Sequence, residues 1–68
     1  MDQETFNLSI RKFLKVVGVS SQREIEQAVA AALQSGALAG NEILPVTMTL
    51  ELGALSLSAK FEGEIQLV

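Results

Sequence analysis

Cysteine, histidine, tryptophan and tyrosine are all missing from this 68-residue chain, and proline occurs once. Without cysteine there is no disulfide, no thiolate metal site and no redox pair. Without histidine the commonest metal ligand and general base are gone. A zinc-stapled mini-domain is thereby excluded, and no cofactor is expected. No apolar run approaches the ~18 residues of a membrane span. The chain opens with Asp2 and Glu4 instead of a basic segment ahead of an apolar one, so no signal peptide is visible and a soluble, cytoplasmic protein is expected.

What is present is apolar for so short a chain. Hydrophobic residues make up 49% of it, with ten Leu and eight Ala. One small domain spanning residues 1–68 is expected, near the lower limit of what folds without a disulfide or metal. Its apolar surplus either fills a dense core or forms an interface. Charge is unevenly spread around a net of −3. Residues 1–23 carry four cations and two anions, whereas residues 24–68 carry one cation and six anions.

Phe6, Ile10, Phe13, Leu14 and Val17 recur at helical spacing, which predicts an amphipathic helix over residues 2–17 with Asp2 as its N-cap. Gly18 reads as its stop. Ser21 and Glu24 have capping-box spacing, and Ile25, Ala28, Val29, Ala32 and Leu33 form a second stripe. A second helix over residues 21–35 follows, ended by Gly36.

From Ile43 the period is two. Leu44, Val46, Met48, Leu50 and Leu52 alternate with polar residues, and after Gly53-Ala54 the opposite parity takes over through Leu55, Leu57, Ala59, Phe61, Ile65 and Leu67. Strands over 43–52 and 55–67 with a two-residue type II′ loop at Gly53-Ala54 would face Leu52 with Leu55, Leu50 with Leu57 and Met48 with Ala59. A further loop at Glu62-Gly63-Glu64 would split off a short third strand by pairing Phe61 with Ile65. The predicted fold is α+β: two amphipathic helices packed on a C-terminal antiparallel hairpin or small sheet, in the order α-α-β-β.

Catalysis lacks its usual parts. The serines at 9, 20, 21, 35, 56 and 58 serve as caps, turns and polar strand positions, and Ser58 with Lys60 is a poor nucleophile-base pair. Glu62 and Glu64 are too few for a calcium cage and read as a solvated face. The five glycines sit singly, so no phosphate-cradling loop exists. No catalytic, cofactor-binding or metal-ligating residue is expected.

Two helices followed by a hairpin are similar in order to a winged helix, and Phe13 to Ser20 resembles the first half of a helix-turn-helix. Beyond the turn, position 24 is Glu24 where an apolar residue belongs, and the second helix bears Glu24 and Glu26 against Arg23. A recognition helix needs cations for phosphate contacts, so nucleic-acid binding is the weaker alternative. The stronger expectation is a protein partner or a homodimer, with Arg11, Lys12 and Lys15 as a basic docking patch for an acidic surface.

Ser9-Ile10-Arg11-Lys12-Phe13-Leu14-Lys15, Ser21-Gln22-Arg23-Glu24-Ile25-Glu26, Leu44-Pro45, Thr47-Met48-Thr49-Leu50-Glu51 and Gly63-Glu64-Ile65 resemble a family of short uncharacterised proteobacterial proteins, a domain of unknown function. The likeness covers nearly the whole chain. It implies a small bacterial cytoplasmic protein and supplies no activity, cofactor or catalytic residue.

Overall fold

A computed structural model describes residues 1–68, which fall into two compact units, Met1–Ala37 and Leu38–Val68. The first is a single helix, α1, Gln3–Ser35. The second is an antiparallel hairpin of β1, Ile43–Leu52, and β2, Leu57–Gln66. The α+β class holds; the second helix does not exist.

The predicted break at Gly18 is absent. Three features carry the helix through it. The apolar stripe stays in phase, since Val17, Ser21 and Ile25 are successive i+4 neighbours. Ser21, read as an N-cap, instead donates its hydroxyl back to the Val17 carbonyl at 2.5 Å, with a second, longer contact to that of Gly18. Finally, one interior glycine costs a helix only about 1 kcal/mol relative to alanine, too little to stop it where no proline follows. Gly18 keeps a negative φ, whereas Gly36, at φ 83°, is the true left-handed stop, its N–H donating to the Leu33 carbonyl.

The N-terminus forms as its sequence predicts. An Asp2 carboxylate oxygen accepts from the Glu4 amide at 3.1 Å, and the other accepts from the Thr5 hydroxyl at 2.7 Å. At 1.5 Å per residue, α1 is about 50 Å long.

The hairpin keeps its predicted faces but not its predicted register. Four residues, Gly53 to Ser56, make the loop: a 3-10 turn over Gly53–Leu55 followed by Ser56 in the left-handed region at φ 51°. The Ser56 amide closes it on the Gly53 carbonyl at 3.1 Å. Gly53 itself does not have the positive φ that a type II′ turn requires. The observed pairs are Leu52 with Leu57, Leu50 with Ala59, Met48 with Phe61, Val46 with Gly63 and Leu44 with Ile65. Relative to the two-residue loop this is a slip of two positions, and a slip of two conserves the face of every side chain. The longer loop sets Ile65 against Leu44, where the shorter would set it against Glu42, and brings the Met48 thioether opposite the Phe61 ring. Leu55 is left outside the ladder at 72% exposure.

No third strand forms. β2 runs straight through Glu62-Gly63-Glu64, with Gly63 opposite Val46.

Candidate functional site

Neither unit has a core. No residue of the chain is buried, and large apolar side chains are exposed in both units. The candidate site is therefore a pair of apolar surfaces, one on each unit, and each is built from a simple repeat.

On α1 the repeat is eleven residues. Phe6, Val17 and Ala28 recur at that interval, as do Ile10, Ser21 and Ala32, and Leu14 and Ile25. Eleven residues in three turns match the helix period closely, so these side chains stay on one stripe for the whole length of α1. Exposure along it reaches 45% at Phe6, 55% at Phe13 and 56% at Leu14. Bulk is concentrated in the N-terminal half, at Phe6, Ile10, Phe13, Leu14 and Val17, and small residues in the C-terminal half, at Ser21, Ala28 and Ala32.

The predicted basic patch lies on this helix, all three members exposed. Helical periodicity puts Arg11 toward the border of the stripe and both Lys15 and Lys12 on the side away from it. Further along, on the side of the helix that carries Lys15, stand Gln22 and Glu26, joined by a hydrogen bond of 2.8 Å from the Gln22 amide to the Glu26 carboxylate. One charge, Glu24, eleven residues after Phe13, falls within the stripe itself.

On the hairpin, the apolar face comprises Leu44, Val46, Met48, Leu50 and Leu52 with their partners on β2, and its largest exposed ring is Phe61 at 59%. The opposite face is polar: Glu51 stands across from Ser58, Thr49 from Lys60, Thr47 from Glu62 and Pro45 from Glu64. A shallow, open groove is lined by Pro45, Val46, Thr47, Glu62, Gly63 and Glu64. No cluster of three acidic, histidine or cysteine side chains capable of holding a metal ion occurs. Ser58 and Lys60 follow one another along the polar face, while Ser9, Ser21 and Ser35 donate their hydroxyls to helix carbonyls.

One residue that the sequence reading passed over has a defined structural role. The Glu42 carboxylate accepts from the Ala39 amide at 2.8 Å and the Gly40 amide at 2.9 Å, gathering the loop ahead of β1. Its carbonyl also accepts from the Leu67 amide at 3.4 Å. These donated amides hold the Glu42 carboxyl below its ordinary value of 4.5. The signal in the sequence is faint: a carboxylate two residues after a glycine in a short loop.

No helix is long and apolar enough to cross a membrane. The helix-turn-helix comparison loses its premise, because the turn it needs at Gly18 is helical. The chain belongs to a family of unknown function, DUF6494, whose family model matches residues 1–68. Neither the curated proteins nor the solved structures yield a match.

Proposed function

From a family membership that carries no activity, and from two apolar surfaces without a core beneath them, we propose that this chain is a non-enzymatic interaction module. Its fold is completed by another polypeptide, in keeping with the bacterial cytoplasmic setting that the sequence resemblance implies. The observation that carries this reading is that neither unit, taken by itself, buries its apolar face, in a chain 49% hydrophobic. A lone helix is marginal in water because nucleation is costly and propagation barely favourable. A lone two-stranded hairpin is no better. Each unit has the amphipathic pattern of an element that packs, and association removes that apolar surface from water at roughly 25 cal/mol per Å².

A non-enzymatic role is supported by the chemistry of the side chains. With no histidine, cysteine or tyrosine, the remaining nucleophiles are hydroxyls, and three of the six serines are engaged with the backbone of their own helix.

The test is nuclease-treated affinity purification of the tagged chain from its own cells, run beside Phe13→Glu. A stoichiometric polypeptide, whether a second copy or a different protein, that is lost in the variant supports the reading. Recovery of a solitary chain with a fully formed helix contradicts it.

A further inference from the structure

We propose that β2 pairs its free edge with β2 of a second copy of this chain, the two strands running antiparallel about a two-fold axis at Phe61. The proposal names the partner of the hairpin and rests on the interaction reading. It stands on which backbone groups are free and on how the charges beside them are spaced.

A two-stranded sheet has two outer edges, one on each strand. The ladder decides which backbone groups line them. One step beyond the pair of Ile43 with Gln66, the Leu67 amide donates to the carbonyl of Glu42 directly opposite. Hydrogen-bonded and non-hydrogen-bonded pairs alternate along an antiparallel ladder. The even-numbered residues of β1 and the odd-numbered residues of β2 therefore turn their N–H and C=O groups toward each other. The odd-numbered residues of β1 and the even-numbered residues of β2 turn theirs outward. Pro45 belongs to the outward set, so the donor it lacks is missing from the outer edge of β1, which is thereby interrupted. β2 contains no proline, and its outer edge keeps every donor and acceptor from Ser58 to Gln66. The edge open to another strand is that of β2.

Charge identifies the strand that fits it. Antiparallel pairing of two β2 strands centred on Phe61 sets Lys60 opposite Glu62 of the second copy, and the two-fold axis makes this contact twice. Ser58 meets Glu64, and no like charges face each other. Every neighbouring register does worse. Centred on Glu62 or on Lys60, the pair stacks like on like; centred on Gly63, it sets Glu62 against Glu64. Centred on Ala59, it sets Lys60 against Ser58 and pairs no opposite charges. A parallel pair in register would bring Lys60 alongside Lys60.

The apolar face agrees with the register that charge selects. Leu57 meets Ile65, and Ala59 meets Gly63. Phe61, 59% exposed in the single chain, meets its own counterpart across a non-hydrogen-bonded pair, where side chains approach most closely. The product is a four-stranded sheet in the order β1-β2-β2-β1, with one continuous apolar face, where a lone hairpin is marginal. Both of its outer edges are the ones interrupted by Pro45, so the assembly stops at two copies instead of growing into a fibre.

Sedimentation of the full-length chain and its variants across a concentration series tests the pairing. Ser58→Pro removes an outward N–H of β2 and no bond of the intrachain ladder, and should weaken association at least about tenfold. Thr49→Pro makes the same change on the outer edge of β1 and should leave association unchanged. Lys60→Glu or Glu62→Lys alone sets like charges opposite each other twice and should weaken association about tenfold, while the variant carrying both exchanges should recover most of it. Circular dichroism verifies that each variant keeps its secondary structure. Equal effects of the two proline variants, or no rescue by the charge exchange, overturn the edge pairing and leave the interaction reading standing. A chain that is monomeric at all concentrations overturns self-pairing, and a different polypeptide recovered by affinity purification would still support the interaction reading. Only a solitary chain there, with a fully formed helix, overturns the interaction reading itself.

Discussion

The helix and the hairpin meet the same shortage of buried surface in different ways. The hairpin has a partner within the chain: β1 and β2 satisfy each other's ladder and set five apolar pairs on one face. The helix satisfies its backbone internally but has no side-chain neighbour of its own kind, and its stripe runs its full length as a single uninterrupted repeat. What differs is where the specificity lies. In the hairpin it lies in a register closed by one turn; in the helix it lies in an apolar stripe that keeps its phase through Gly18. The hairpin's pairing is local, whereas on the proposed reading the helix is completed by association.

That contrast can be broken most forcefully at the stripe. Ile10→Asp should cost roughly 2–3 kcal/mol of association free energy, the burial of one aliphatic side chain, whereas Thr49→Asp on the polar strand face should leave it unchanged. Sedimentation across a concentration series reads both. An equal effect of the two variants would erase the distinction between the surfaces.

A pair of identical substitutions should have opposite signs in the two regions. Ser56 holds φ 51°, where a side chain is strained, so Ser56→Gly should stabilise the hairpin by up to about 1 kcal/mol. Ser21 is mid-helix with its hydroxyl on the Val17 carbonyl, so Ser21→Gly should destabilise the helix by about 1 kcal/mol. Denaturant titration of each variant is the measurement.

The two glycines of α1 sharpen the same point. Gly18→Ala should raise helix content at low protein concentration, worth about 1 kcal/mol, since its φ is ordinary and the added Cβ meets nothing in the chain. Gly36→Ala should lower it by a similar amount, about 1 kcal/mol, because an alanine at φ 83° is strained. Circular dichroism distinguishes them.

The smallest effect is confined to the loop before β1. Because the Glu42 carboxyl is held below its ordinary value by the Ala39 and Gly40 amides, its contribution is complete above 4.5 and is lost as pH falls through its depressed pKa. The Ala39 and Gly40 amide resonances should shift over that acidic window, and Glu42→Gln should abolish the titration.

Much of this was legible in the residues. The apolar stripes, the Asp2 cap, the stop at Gly36 and the two faces of the hairpin all follow from periodicity and side-chain chemistry. The break at Gly18 was misread because glycine followed by Val-Ser-Ser looks like a stop and a new cap. The decisive signal was the phase of the stripe across it: Val17, Ser21 and Ile25 stay aligned, and a real turn has no reason to preserve that alignment. The hairpin register was misread for a different reason. Loops of two and four residues conserve the same parity, so apolar patterning alone cannot separate them, and the choice rests on which distal pairs result. Of the basic patch, only Arg11 borders the stripe, while Lys12 and Lys15 face away from it, a distinction made by the helix period over residues only one turn apart.

The account rests on the proposal that another polypeptide covers the apolar stripe of the helix. Its most direct test is helix content measured together with molar mass over a wide dilution series. The prediction is association above the 7.3 kDa chain mass at high concentration, with helix content falling in step as it dissociates. A monomer whose helix persists undiminished at the lowest concentration would contradict it.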